Sequence, residues 1–131
     1  MQYRLAIIDD EEKILQSLAR YFKLKNFGVD IFTNPAEALN AIKARHHKLV
    51  LTDINMPGMD GIELLARIKK HNPLIQVVIM TGNATADSVK NALKSGAVGF
   101  VVKPFDSMQL VEREVEKAIQ VYESHVLKHR A

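Results

Sequence analysis

The sequence predicts an α/β protein, a parallel sheet of five strands with helices on both faces. Three observations carry this reading. Five short β-type runs alternate with five stretches of helical periodicity, the pattern of a doubly wound sheet. Two of the runs, 48–52 and 75–80, are nearly continuously apolar, as strands covered on both faces should be. The connections are short, and no linker, repeat or low-complexity segment divides the 131 residues into more than one domain.

The first strand is expected over about residues 4–8. A helix follows from near Glu11 to about Asn26, aligning Ile14, Leu15, Leu18 and Phe22 at roughly 3.6-residue spacing. Gly28 is expected to supply the permissive backbone of the turn into a strand over 29–32. Thr33 or Asn34 caps the second helix, with Pro35 in its first turn and Ala38, Leu39 and Ile42 facing inward. The strand over 48–52 leads to a third helix with the stripe Ile62, Leu65 and Ile68, which stops before Pro73. The strand over 75–80 leads to a fourth helix, marked by Val89, Ala92 and Leu93 and closed by Gly96. The last strand covers about 98–102, and the fifth helix runs from about Ser107 toward the C-terminus.

Composition narrows the function classes. With 47% hydrophobic and 25% charged residues the chain has the make-up of a soluble globular protein. No apolar stretch reaches membrane-spanning length, and the first residues do not form a signal peptide. The absence of cysteine excludes disulfides and thiolate metal sites and fits a cytoplasmic location. The net charge of +3 is mild, and its densest cluster is Lys43, Arg45, His46, His47 and Lys48. No aromatic residue interleaves that cluster, so it reads as a solvated helix end and loop, not a nucleic-acid surface. His125 and His129 share a helical face without a third ligand, and they too read as a solvated helix end.

The residues that carry chemistry each follow an apolar run. Asp9 and Asp10 follow Leu5-Ala6-Ile7-Ile8, Asp53 follows Leu49-Val50-Leu51-Thr52, Thr81 ends Val77-Val78-Ile79-Met80, and Lys103 follows Phe100-Val101-Val102. If the runs are neighbouring parallel strands, their C-terminal ends converge on one edge, where open α/β folds place ligands. Asp9 and Asp10 can cap the next helix or turn together toward a metal, and both readings stand on the local sequence. Asp9-Asp10-Glu11-Glu12 would repel phosphate without a cation, and an all-oxygen ligand set suits Mg²⁺ or Mn²⁺. Asp53 opens a loop that Pro57, Gly58 and Gly61 keep tight, and Asp60 is the natural cap of the following helix. That leaves the Asp53 carboxylate free to act as a nucleophile toward phosphorus. Lys103 leaves a buried strand and needs a counter-charge, which the acids supply. Lys103-Pro104 is also a candidate for a cis peptide. Thr81 is by itself an ordinary β-former.

In this order and at these intervals, the residues resemble the receiver (REC) domain of two-component response regulators, over about residues 3–122. The resemblance implies a flavodoxin-like (βα)5 fold with sheet order 2-1-3-4-5. It implies that Asp53 takes a phosphoryl group from the phosphohistidine of a sensor histidine kinase or phosphotransfer protein, or from a small acyl phosphate. Asp10, Asp53 and the backbone carbonyl of Asn55 would hold Mg²⁺, with Asp9 acting through water. Lys103 and Thr81 would address phosphoryl oxygens, and Thr81 with Phe100 would form the switch. Phe100 lacks the hydroxyl often found at that position, and it reads equally as a core phenylalanine. The expected function is a signalling switch that catalyses only its own phosphorylation and dephosphorylation. It would reshape the face around the fourth helix, fifth strand and fifth helix. Output is expected through an output domain or downstream protein, without direct nucleic-acid or membrane contact. Residues 1–122 would form the receiver and 123–131 an extension of the last helix. The apolar stripe Met108, Val111, Val115, Ala118, Ile119, Tyr122 and Val126 overshoots the sheet there and suggests a homodimer contact or a linker helix.

Rival readings are separable. A phosphatase of the haloacid-dehalogenase type would carry its nucleophile in an Asp-x-Asp motif, and Asp9-Asp10 lacks that spacing. A flavodoxin-like FMN carrier would have a phosphate-binding loop where this chain has acids. A phosphorylation-dead scaffold would lack a key site residue, and none is missing. A receiver fragment of a longer regulator, whose output domain lies outside these residues, is the remaining alternative.

Overall fold

The structure is a computed structural model that describes residues 3–83 and 85–130, with side chains described through residue 128. Its elements are β1 (Arg4–Ile8), α1 (Glu12–Leu24), β2 (Gly28–Phe32), α2 (Pro35–Arg45), β3 (Leu49–Asp53), α3 (Gly61–His71), β4 (Gln76–Thr81), α4 (Ala86–Lys94), β5 (Gly99–Val102) and α5 (Met108–Arg130). The sheet has the order β2-β1-β3-β4-β5, and every neighbouring pair is parallel. This is the flavodoxin-like (βα)5 architecture.

The side-chain period of two along each strand divides the core into two layers. Ala6, Ile8, Val50, Val77 and Ile79 point to one face, where they meet Ala38 and Ile42 of α2, Leu64, Leu65 and Ile68 of α3, and Ala92 of α4. Leu5, Ile7, Leu49, Leu51, Val78 and Met80 point to the other, against Leu15, Leu18 and Phe22 of α1 and Val111, Val115 and Ala118 of α5. β3 and β4 are buried at every position, which is why their sequences are apolar except at the ends.

Several local expectations shift. β3 and β4 lie one residue later than the apolar pattern suggests, so Asp53 and Thr81 are the last strand residues and Asp53 is in register with Met80. The turn into β2 takes its left-handed residue at Asn26, with φ of 69°, while Gly28 is already the first residue of the strand. Asn34, not Thr33, caps α2 by accepting from the N–H groups of Ala36 and Glu37. Asp60 caps α3 through the Glu63 N–H, and Gly96, with φ of 104°, closes α4. Leu93 is half exposed, because Ala92 is the buried residue of α4 and its neighbour points about 100° away around the helix.

The basic cluster after α2 is not a uniformly solvated loop. His47 is buried and bonds Asp30, Arg45 lies 3.6 Å from Asp30, and the Lys48 ammonium sits 5.5 Å over the Tyr122 ring. At the same edge the Tyr3 hydroxyl donates to Glu123 at 2.5 Å, and its ring meets Tyr122 edge-on at 6.2 Å. Burial and the Glu123 carboxylate push the Tyr3 hydroxyl up to about 12. Tyr122 is therefore engaged with the core, and the exposed apolar surface of the last turns begins beyond it, with Leu127 66% exposed. No helix among the described residues is long and apolar enough to cross a membrane.

Candidate functional site

The parallel arrangement brings the C-terminal ends of β1, β3, β4 and β5 to one edge. Asp9 lies just beyond β1 and is fully buried, and Asp53 ends β3 at 5% exposure. Asp10 lies on the surface beside them. Carboxylate oxygens of Asp9, Asp10 and Asp53 all fall within 4.8 Å of one another. Neither acid of the first pair caps α1, whose N-cap is Glu11 and has no side-chain cap hydrogen bond. Asp9 Oδ1 accepts from the Glu11 N–H at 2.9 Å, within the turn that precedes the helix. Its Oδ2 faces the cluster.

Lys103 reaches into these acids from the end of β5. Its Nζ is 2.5 Å from Asp9 Oδ2, 3.4 Å from Asp53 Oδ2 and 3.8 Å from Glu11 Oε1. Burial alone would pull the ammonium down. Its hydrogen bond to Asp9 and the charges of Asp53 and Asp9 outweigh that, and they hold Lys103 above the ordinary lysine value. Burial raises the Asp53 carboxyl above the usual carboxylate range, the Asp9 charge adds to this, and Lys103 opposes it. The Lys103–Pro104 bond is cis, as the sequence suggested it could be.

The loop after β3 is built around one tight approach. The Gly61 N–H donates to the Ile54 carbonyl at 2.7 Å. A Cβ on Gly61 would lie 2.2 Å from the Asp53 carbonyl oxygen, 2.8 Å from Ile54 Cα and 3.0 Å from the Asp53 carbonyl carbon. The first residue of α3 thus rests on the backbone of Asp53. Asn55 follows on the surface, on the same side as the acids. Across β4, Thr81 is 2% exposed, and its Oγ1 accepts from the Asn83 N–H at 3.1 Å. The hydroxyl proton stays available to a further acceptor. The Lys103 N–H donates to the Thr81 carbonyl at 2.7 Å and ties the two strand ends together.

Phe100 stands apart from this cluster. It is 37% exposed on the outer side of the edge strand β5, so it is not a core phenylalanine. It lines a groove of about 450 Å³ with Val102, Asp106, Leu110, Arg113 and Glu114. Asp9, Asp10, Asp53, Thr81 and Lys103 converge as the sequence suggests. Asn83 joins them without having been singled out, and Glu11 and Gly61, named only for charge and loop shape, come closer to the cluster than that reading implied. The two glycines of the 53–61 loop were the one available hint toward Gly61.

The donor set fits a hard divalent cation. It offers carboxylate and carbonyl oxygens with no sulfur or imidazole, and it crowds acids that repel one another. Beside these acids lies the Lys103 ammonium, and the buried Thr81 hydroxyl stands at the end of the neighbouring strand β4. Chemically, that equipment suits acceptance of a phosphoryl group.

The family model described as the response regulator receiver domain matches residues 5–114. The chain is 37% identical over 117 residues to the DNA-binding transcriptional regulator NtrC of Escherichia coli, covering 89% of this chain and 25% of that protein. It therefore spans about a quarter of that relative's length. Among solved structures it is similar to a CheY-like receiver domain protein from Methanospirillum hungatei, with a TM-score of 0.86, 29% identity and coverage of 95% and 99% of the two chains. It is also similar to a chain of the CheX-CheY-BeF3-Mg²⁺ complex from Borrelia burgdorferi, with a TM-score of 0.79, 29% identity and 85% of each chain covered.

Proposed function

The chain belongs to the response regulator receiver domain family, and on that premise we propose that it is a phosphorylation-dependent switch whose acceptor is Asp53. The observation that carries this is the ammonium of Lys103 lodged between Asp9 and Asp53 at the C-terminal edge of the sheet. That edge already holds a nucleophile and a movable cation within bonding reach.

In the proposed reaction a carboxylate oxygen of Asp53 attacks phosphorus in a phosphohistidine of a sensor kinase or phosphotransfer protein. The P–N bond breaks, the imidazole leaves with the bonding pair, and it takes a proton from solvent. With a small acyl phosphate, the P–O bond breaks and a carboxylate leaves. Lys103 turns from Asp53 to an oxygen of the transferred group, and the Thr81 hydroxyl donates its free proton to another. Asp10, Asp53 and the Asn55 carbonyl would hold Mg²⁺ or Mn²⁺, with Asp9 acting through water. That cation would neutralise the charge accumulating between nucleophile and phosphoryl group. The Mg²⁺ named in the Borrelia complex supports this assignment.

Phosphorylation brings about −1.5 to −2 charges and new acceptor oxygens to Asp53. Drawing Thr81 toward them would pull on β4 and on the Lys103–Thr81 strand contact. The exposed groove at Phe100, with the α4, β5 and α5 surface around it, is the region we assign to the response. The partners on this reading are a histidine kinase or phosphotransfer protein and an output domain or downstream protein, in the cytoplasm. A receiver of similar fold, 30% identical, was solved as a beryllofluoride-activated dimer. That supports self-association as a capacity of this fold, and we assign it here to the end of α5, with residues 123–131 as the extension.

Acetyl phosphate with Mg²⁺ is expected to add one acid-stable, base-labile phosphoryl group, read by intact mass. The Asp53→Asn variant should take none, and chelation of the metal should abolish labelling. Undiminished labelling of Asp53→Asn would overturn the assignment.

A further inference from the structure

The connection between α2 and β3 buries a histidine that acceptor chemistry does not use. His47 is 1% exposed, and its Nε2 lies 2.7 Å from Asp30 Oδ2. Arg4 bonds the same carboxylate at 2.7 and 3.1 Å and holds it below the usual carboxylate range, so Asp30 is ionised. The Nε2 atom therefore carries the hydrogen and donates it. In the neutral ring Nδ1 is then a bare lone pair, and that atom is buried with no hydrogen-bond partner among the described residues.

A second proton has only Nδ1 to go to, and no acceptor meets it there. The charged groups around the ring come from three elements. Asp30 on β2 favours the cation, whereas Arg4 on β1 and Arg45 on α2 oppose it. The one negative charge of Asp30 is already shared with both guanidiniums. Burial is the largest influence, and it drives the imidazole below its ordinary value despite Asp30.

We propose that His47 is an acid-sensitive latch, which tethers the segment entering β3, across β1, to the middle of β2 only while its ring is neutral. When a proton is forced onto Nδ1, the new N–H finds an acceptor only in water. The ring leaves its pocket, and the bond to Asp30 breaks while Asp30 stays with Arg4 and Arg45. The residues freed lead into β3, and directly before it the Gln76 N–H donates to the Lys48 carbonyl at 3.0 Å. β3 is the strand that ends in Asp53, so the latch grips the acceptor strand at its opposite end. The sign follows from linkage. A free histidine takes its proton near pH 6.5, the latched one takes it only at lower pH, and the latched state is lost as pH falls through that window, from about 6.5 downward.

The test is a pH series from 7.5 to 4.5 on the full metal-free chain, following His47 ring resonances and amide exchange corrected for its intrinsic pH dependence. The latch predicts that His47 keeps neutral-ring shifts well below about pH 6.5. It also predicts that exchange at Leu49, Val50 and Gln76 quickens at least tenfold between pH 7 and 5, while Leu64 and Leu65 in α3 change little. His47→Gln keeps an N–H donor toward Asp30 without a titrating group, and it should flatten the pH dependence at those amides. If His47→Gln fails to fold, the wild-type ring and exchange data decide alone. A His47 ring that charges near pH 6.5 without faster local exchange would overturn the proposal. So would a His47→Gln chain with the wild-type pH response.

Discussion

Gly61→Ala separates the placement of Asp53 from the stability of the fold. The added Cβ would sit 2.2 Å from the Asp53 carbonyl oxygen, about 1.2 Å inside the 3.4 Å at which ordinary contact begins. The clashing atoms are backbone, so no side-chain rotation relieves them. Overpacking of this kind typically costs about 1–3 kcal/mol. Alanine recovers up to about 1 kcal/mol of it through helix propensity and a less flexible unfolded chain. The net loss is about 0–3 kcal/mol with a midpoint of about 1.5 kcal/mol, or roughly 4–8 °C in Tm at that midpoint for a domain of this size. The effect on reaction should be far larger, because the displaced atoms carry the acceptor and lead directly to Asn55. A misplacement of about 1 Å at a reacting group can lower a rate on the order of 10²-fold. Initial rates of acetyl-phosphate labelling, read by intact mass beside thermal melts, give both quantities. Gly28→Ala is the control, since the one tight contact of its Cβ would be the movable Arg4 Nη1 at 3.0 Å, with Arg4 Cγ and Cα at ordinary distances of 3.5 and 3.8 Å. A Gly61→Ala protein that labels within threefold of wild type, with Tm undiminished, would refute the argument.

Three further outcomes are expected. Lys103→Ala and Thr81→Ala should bind Mg²⁺, Lys103→Ala as well as wild type or better because a competing cation is gone, yet fail to switch; calorimetric titration showing a large fall in Mg²⁺ affinity would contradict this. Without metal, Asp53→Asn should melt above wild type at pH 7, because burial raises the Asp53 carboxyl and its ionised form weakens the fold. That advantage should shrink as pH falls toward 4 and Asp53 takes up its proton, and a gap constant with pH would be inconsistent with the buried carboxylate. Light scattering over a concentration series, with and without phosphorylation, should show self-association that is lost on truncation after Ser124, which spares the Tyr3, Tyr122 and Glu123 contacts; a monomer throughout would remove the dimer.

The fold and the acceptor cluster were legible because their signals are local. A run of buried apolar residues announces a strand, and a charged residue directly after it announces the edge of the sheet. What escaped depends on partners distant in the chain. His47 reads as part of a basic loop until β2 places Asp30 beside it, 17 positions away. Lys103 meets Asp9 across 94 positions, so its resting contact could not be separated from its proposed contact with a phosphoryl oxygen. Phe100-Val101-Val102 looks continuously apolar, yet β5 is an edge strand whose burial alternates, and this turns Phe100 outward. Leu93 misleads for the opposite reason: α4 meets the core through the small Ala92, and the larger neighbour is left in solvent. Asn26 took the turn expected of Gly28 because asparagine tolerates the left-handed region, leaving the glycine to start a strand.

The tyrosine contacts at the far edge have a practical reach. Tyr3 directly precedes the first strand and Tyr122 lies in the second half of the last helix, yet their rings touch. Tyr3 and Tyr122 thus mark one doorway at the far edge of the sheet, about 17 Å, a strand's length, from Asp53. Cargo resting on that contact would begin at the doorway, and the opposite rim would stay clear for a docking donor. News of the reaction must then be carried the length of the sheet before it reaches such cargo. α5 runs from the Phe100 groove back to the doorway as a single stiff rod, the most direct conveyor in the molecule.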